Sequence, residues 1–541
     1  MASNPSTCNA KTYYNCLDEF NTLNYNHYNP RHNRTTYLTG LSIEMIPQAN
    51  KDFLVRIRWD DYDITNDAVF TGRIALKERA VLKAGNHITL TQNRTPAQPF
   101  RDNTTGYFDT LTIMRCENGS EFVQERNTSL NITENSQLII QSGSIYNAYG
   151  NAQINVTKGG LLKLEQGASV KMHDTVLIQI DSSARMIIEN NVKFGKNAKI
   201  IVKPGGKLVV NGATLTSDSV TVLWQGIEVW GTPDAAQYTG IRAVTSPQQG
   251  EVVLNNAVIK NAVCGIRVGR QHLRNISKGG GVVKATNTQF VNNQRAVHFY
   301  AYSHVNAYNR VVDNISYFNE CTFRVDNNAY FSVDTSNVQV ALYNVRGVQF
   351  NGCVFEDLQT KNNWKKYGTA LYACNAGFRI NEQTDIFQYP ATYYNTPCTF
   401  SNYKNAIAIV GSAEKPVKIY NTMFNDNSTG VNAKNADALS ILSSYFSSGN
   451  ESFSSYVHGL ILDSCNLYRI ENNQFLGIGN GIKIIGKTAD NNTIRLNTFD
   501  QLCRAIEVYG KNGNEIYDDP TIILTGLQFE CNEFITDSTD I

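Results

Sequence analysis

Gly119-Ser-Glu-Phe122, Gly143-Ser-Ile-Tyr146, Gly167-Ala-Ser-Val170, Asn191-Val-Lys-Phe194 and Gly212-Ala-Thr-Leu215 recur along the chain, their first residues stepping by 24, 24, 24 and 21. The fourth member carries Asn where the others carry Gly, and both residues tolerate a positive φ, so each marks the same tight turn. A period in the twenties built from short alternating segments is the signature of a solenoid. No single turn of such a chain buries its own apolar face, so its stability comes from its neighbours.

Past residue 215 the period loosens and continues. Ile259, Phe290, Phe323, Phe355, Phe400, Phe424, Phe446, Phe475, Phe499 and Phe534 recur at intervals of 22 to 45, all but Phe446 following an Asn or Cys by two to four positions. The short intervals set the minimal coil, and the excess is loop. A second segment recurs beside the first: Gly226-Ile-Glu-Val-Trp-Gly231, Gly265-Ile-Arg-Val-Gly269, Gly481-Ile-Lys-Ile-Ile-Gly486 and Ala505-Ile-Glu-Val-Tyr-Gly510. Each alternates apolar and polar residues, as a strand with one buried face must. One coil then reads Ile470 to Phe475, a turn, Gly481 to Ile484, a turn, and Ile494 to Phe499. Stacked coils pair equivalent strands in parallel, with Phe on Phe inside and Asn in a hydrogen-bonded ladder at the bend. Helical periodicity is nearly absent.

Asn-x-Phe, a turn, then Gly-Ile-x-Val/Ile resembles the right-handed parallel β-helix repeat of the pectate-lyase-like superfamily, over about residues 110 to 541. The segments 201–215 and 224–231 are similar to secreted surface proteins of Bacteroidetes-type bacteria that carry such helices. The resemblance implies an all-β, single-stranded right-handed parallel β-helix over residues 106–541, with loops inserted near 296–309 and 362–394. It also implies a C-terminal sorting domain, whereas Thr539-Asp540-Ile541 stops in mid-pattern, so a longer chain is expected. Residues 1–105 lack the repeat and are expected to form an N-terminal cap or a small β region, since an uncovered first coil invites edge pairing.

The 541 residues carry 48 Lys+Arg against 47 Asp+Glu, a net charge of +1. That balance excludes the concentrated basic face a nucleic-acid partner needs. No apolar run is long enough to span a membrane. The first residues lack an export signal, yet a surface whose polarity comes from Asn, Ser, Thr and Tyr suits an extracellular or cell-surface location. Cys8 and Cys16 are close enough to pair in an oxidising compartment. No CxxC occurs among the eleven cysteines, and Cys321, Cys353 and Cys398 each precede their Phe by two, which places them on the inward face as small hydrophobes.

Many β-helix proteins cleave polysaccharides, and that chemistry needs paired carboxylates. The motifs of polygalacturonase-like relatives (Asn-Thr-Asp, Gly-His-Gly, Arg-Ile-Lys) are missing, and Glu228 and Glu507, at equivalent outward positions, are many coils apart and read as solvated strand face. Asp61-Tyr-Asp63-Ile-Thr65-Asn-Asp67 alternates oxygens like a calcium loop but lacks its Gly and terminal Glu, and reads as a polar turn. His298 and His304 flank an aromatic run and read as hydrogen-bonded or surface side chains. No catalytic residue, metal ligand or cofactor is therefore assigned. The candidate ligand-binding residues are the aromatics of the longest inserts, Tyr300, Tyr302, Tyr308, Trp364, Tyr367, Tyr389 and Tyr393, expected to converge on one side. There they would stack on a sugar ring or meet a surface protein. The expectation is a non-catalytic surface module, a rigid stalk or adhesin-like element. A β-helical lyase or hydrolase and a phage tailspike-like fibre remain open alternatives.

Overall fold

The computed structural model describes residues 35–38, 41–47, 53–59, most of 61–92, and 113–535 apart from short segments at 134, 220, 239–247, 273–274, 332–336, 360–366, 388–391, 412–414, 450–455, 487–490 and 514–525. Trp364, Tyr389, Cys8 and Cys16 lie outside the described residues. Regular structure among them is all strand, arranged as a right-handed parallel β-helix. Its two compact units are Met1–Glu228 with Thr239–Val253, and Val229–Tyr238 with Leu254–Ile541.

In the first unit four-residue strands begin every eight residues, at Gln137, Ile145, Gln153, Leu161, Ser169 and Leu177, so three strands and three four-residue connections make a 24-residue coil. Each strand pairs in parallel with its equivalent one coil on, Leu138 with Leu162, Tyr146 with Val170 and Ile154 with Ile178, and these side chains are buried. The same pairing takes in Arg73–Leu76, Val81–Ala84 and Thr89–Gln92, which lie against Ile113–Cys116, Glu121–Gln124 and Ser129–Ile132. An antiparallel hairpin, Leu41–Pro47 with Phe53–Trp59, accompanies them.

One sequence alignment is corrected. Val170 pairs with Val192, not Phe194, and Val192 pairs with Leu215. The true steps from Phe122 are therefore 24, 24, 22 and 23. Val192 and Phe194 point the same way, so a slip of two residues leaves the apolar pattern intact and invisible to periodicity. The calcium-like segment is likewise a strand, Tyr62–Ile64, paired with Leu82–Ala84. Asp63 is the outward position between buried Tyr62 and Ile64, Asp61 is exposed just ahead of the strand, and Asp67 Oδ1 accepts from the Thr89 backbone N at 2.7 Å.

In the second unit the Phe ladder forms as expected. Phe290, Phe323, Phe355, Phe400, Phe424, Phe446, Phe475, Phe499 and Phe534 stack in sequence with ring centroids 4.4–5.4 Å apart. The Gly of Gly-Ile-x-Val has a packing reason. A Cβ at Gly459 would lie 2.7 Å from the Phe475 ring of the next coil, and one at Gly481 would lie 2.9 Å from Phe499. Buried Asn473 and Asn497 form the ladder: Asn497 Oδ1 accepts from both the backbone N and Nδ2 of Asn473 at 3.0 Å, and Asn532 repeats the contact to Asn497.

The abundance of Asn has a second cause. One residue with positive φ turns the chain at each corner, coil after coil: Asn256, Asn287, Glu320 and Gly352 at one corner, Asn421, Ser443, Asn472 and Leu496 further along it. Asn and Gly adopt that conformation at least cost. Outward charges also pair between coils at the same register, Arg324 with Glu356, Lys434 with Asp463 and Lys483 with Glu507.

Candidate functional site

The three long aromatic inserts leave the coil at different corners. Phe299 to Tyr308 joins a strand of the Gly-Ile sheet (Val297–Phe299) to the following sheet (Tyr317–Asn319). Residues 358–366 join the Phe-ladder sheet to the Gly-Ile sheet, and 382–397 join the remaining pair of sheets. The described residues among those expected to converge are therefore dispersed. Tyr308 sits at the tip of the hairpin His304–Val305 and Val311–Val312 and is 83% exposed. Tyr300 and Tyr302 are each only 3% exposed. A Cβ on Gly269 would lie 2.8 Å from the Tyr300 ring, so this glycine makes room for it. Tyr367 is half-buried in the strand Tyr367–Cys374, in register with Tyr403. Tyr393 lies in a hairpin strand, Thr392–Thr396, opposite Ile386. Its neighbour Tyr394 is 67% exposed.

Where His298 was read as an ordinary histidine, the structure builds a recess. The outward residue of Gly-Ile-x-Val is Arg267 in one coil, His298 in the next and Ala341 in the next, all in register. The turn that precedes His298 adds Gln294 and Arg295, fixed by backbone bonds from Gln294 N to Ala262 O at 2.8 Å and from Gly265 N to Arg295 O at 2.8 Å. Val263, Cys264, Asn337 and Val338 complete a cavity of about 270 Å³. The lining holds two guanidinium groups and no carboxylate. The Tyr300 ring lies 4.2 Å from His298, Tyr343 lies 5.2 Å from it on another side, and Tyr372 lies 5.7 Å from Tyr343.

The protonation of His298 follows from its partners. It is 7% exposed, and burial, then the charges of Arg295 and Arg267, push its pKa down to about 3. The ring is neutral at ordinary pH. Arg295 Nη1 lies 3.2 Å from His298 Nδ1, and a guanidinium can only donate, so Nδ1 accepts and the proton sits on Nε2. That Nε2–H is buried without a hydrogen-bond partner.

An imidazole with so low a pKa is a poor general base near neutrality. Burial pushes the Cys353 and Cys398 thiols well above their ordinary range, away from the thiolate a nucleophile needs. Glu228 and Glu507, expected to be solvated, are almost wholly covered, because Lys199 folds over one and Lys483 and Arg504 over the other. Among the described residues no three His, Cys, Asp or Glu side chains come together as a metal site.

No family model matches the chain, and no curated protein does. Among solved structures, one similar chain is PfbA, a surface adhesin of Streptococcus pneumoniae, at 9% identity and a TM-score of 0.21, with 79% of this chain and 86% of that one covered.

Proposed function

We propose that this chain is a non-catalytic, extracellular or cell-surface β-helical module, a rigid stalk or adhesin-like element that meets carbohydrate or protein through its lateral projections. The observation that carries the reading is the separation of roles between body and projections. The nine Phe-bearing coils of the second unit are locked by stacked Phe and bonded Asn and rise about 4.8 Å each, roughly 40 Å in all. Hairpins at 304–312 and 383–396 leave that body and hold Tyr308 and Tyr394 in solvent. Aromatic side chains with a polar tip are the usual currency of recognition surfaces. No helix among the described residues is long and apolar enough to cross a membrane. Six of the nine described thiols are buried, where they are shielded from oxidants.

A polysaccharide panel tests this, scored for binding and for release of reducing or unsaturated ends. Binding without turnover, weakened by Tyr308→Ala or Tyr394→Ala, is the expected result. Turnover of any glycan would overturn the reading in favour of a lyase or hydrolase.

A further inference from the structure

We infer that the last coil of the second unit is a docking face for a second copy of this chain, the two meeting end to end about a twofold axis. The first observation is what that coil exposes. Val508, Phe529 and Phe534 stand at inward positions, in register with Ile484, Ile494 and Phe499 of the coil before. Those three are buried, whereas Val508 is 40% exposed, Phe529 is 46% exposed and Phe534 is half-buried. The apolar lumen is open here. In the first unit, by contrast, the inward Leu38, Tyr62, Ile64 and Ala68 of the first described coil are all buried.

The second observation is the edge. Among the described residues, Arg504–Tyr509, Leu527–Glu530 and Glu533–Ile535 each pair with one strand only, in the coil before. Bonds from Asn492 N to Gly526 O, Leu496 N to Glu530 O and Glu533 N to Asn497 O turn these alternate residues back toward the body. The peptide groups of Phe529 and Phe534 therefore face the open edge. Strand edges around an apolar patch are a template for further strands.

The third observation is fit, and it selects a second copy. From the Gly-Ile sheet through Leu527–Glu530 to the Phe-ladder sheet, the rim climbs in three equal steps per coil. A twofold axis through Leu527–Glu530, perpendicular to the solenoid axis, sets the highest strand of one copy over the lowest of the other and Leu527–Glu530 over itself. The gap is then the same at all three sheets, and every new pair is antiparallel. Such a contact is isologous and uses up the open rim of each copy, so growth stops at two. A coil about 20 Å across buries roughly 800 Å² between the copies, a size that suits reversible association. The dimer carries two sets of lateral hairpins, which raises avidity without a new contact.

Sedimentation equilibrium on the full 541-residue chain tests this. The expected result is a monomer–dimer equilibrium with a dissociation constant on the order of 1–100 µM. Phe529→Asp and Val508→Lys, made separately, should each weaken it at least about tenfold. Amide protection within 458–485 should stay as in wild type, which shows the body folded in each variant. From well below the dissociation constant to well above it, exchange at the Phe529 and Phe534 amides should slow at least about threefold. Tyr308→Ala and Tyr394→Ala should change neither readout, which separates failure here from failure of the lateral projections. A chain that stays monomeric, species larger than a dimer, a dimer indifferent to both end substitutions, or one whose Phe529 and Phe534 amides exchange unchanged would each overturn the inference.

Discussion

Gly459 and Phe475 test whether the solenoid core is a set of fitted contacts between successive coils or merely an apolar lumen. Phe475 is buried between Phe446 at 4.8 Å and Phe499 at 4.9 Å. Truncating it to Ala removes a ring from a stack that cannot close up without shortening the coil spacing, a loss of about 3–5 kcal/mol. Gly459→Ala places a methyl 2.7 Å from Cδ1 and Cε1 of that ring and 2.7 Å from the Gly481 carbonyl oxygen. Overpacking of this kind costs about 1–3 kcal/mol, offset by about 0.4–1 kcal/mol from a stiffer unfolded chain. The two substitutions then interact. With the ring gone, the methyl loses its clash with Phe475 and fills part of the cavity, while its approach to the Gly481 carbonyl persists. The double variant should therefore be more stable than the sum of the singles by at least about 1 kcal/mol, within the range seen for residues in contact. A stacked array opens coil by coil, so the measurement is native-state hydrogen exchange at amides within 458–485, checked against urea unfolding. Additivity within about 0.5 kcal/mol would refute the argument, because two residues in such contact cannot act independently.

Asn497→Leu should cost about 2–4 kcal/mol by the same exchange assay, since it strands the Ile470 carbonyl and the Asn473 N–H that now bond to its side chain; wild-type protection would remove the Asn ladder from the account. Leu496 holds a φ of 56° at a corner where Asn472 and Asn421 sit in earlier coils, and its side chain is half-exposed, so Leu496→Asn should stabilise by about 0.5–1 kcal/mol, read as a rise in unfolding midpoint. His298 is depressed from 6.5 to about 3 in the folded chain, so the unfolded chain takes up a proton first as pH falls. Its stabilising contribution is complete above about pH 6.5 and is lost at about 1.4 kcal/mol per pH unit down to about 3. Wild type should accordingly lose about 2.3 kcal/mol more than His298→Gln between pH 6.5 and 4.5, and equal losses would show the ring to be solvated.

The ladder and the Gly-Ile strand were legible because each is a constraint on a single position, a ring that needs a ring above it and a glycine that needs to leave that ring room. Turn length is a weaker constraint, and so the pairing of Val170 with Val192 was misread by two residues where the coil shortens. Aromatic side chains mislead for a related reason. Tyr300 and Tyr308 are chemically alike and eight positions apart, yet one is packed on Gly269 and the other stands in solvent, and nothing local in the sequence separates them. The recess was missed because a solenoid assembles its lateral surfaces from one residue per coil. Arg267, His298, Ala341 and Tyr372 form one outward column in register although they span more than a hundred residues. A motif confined to a short window cannot contain such a site. The usable signal is the x of successive Gly-Ile-x-Val segments read down the column. There, an arginine followed by a histidine and then by an alanine too small to cover it describes a charged notch before any coordinate is known.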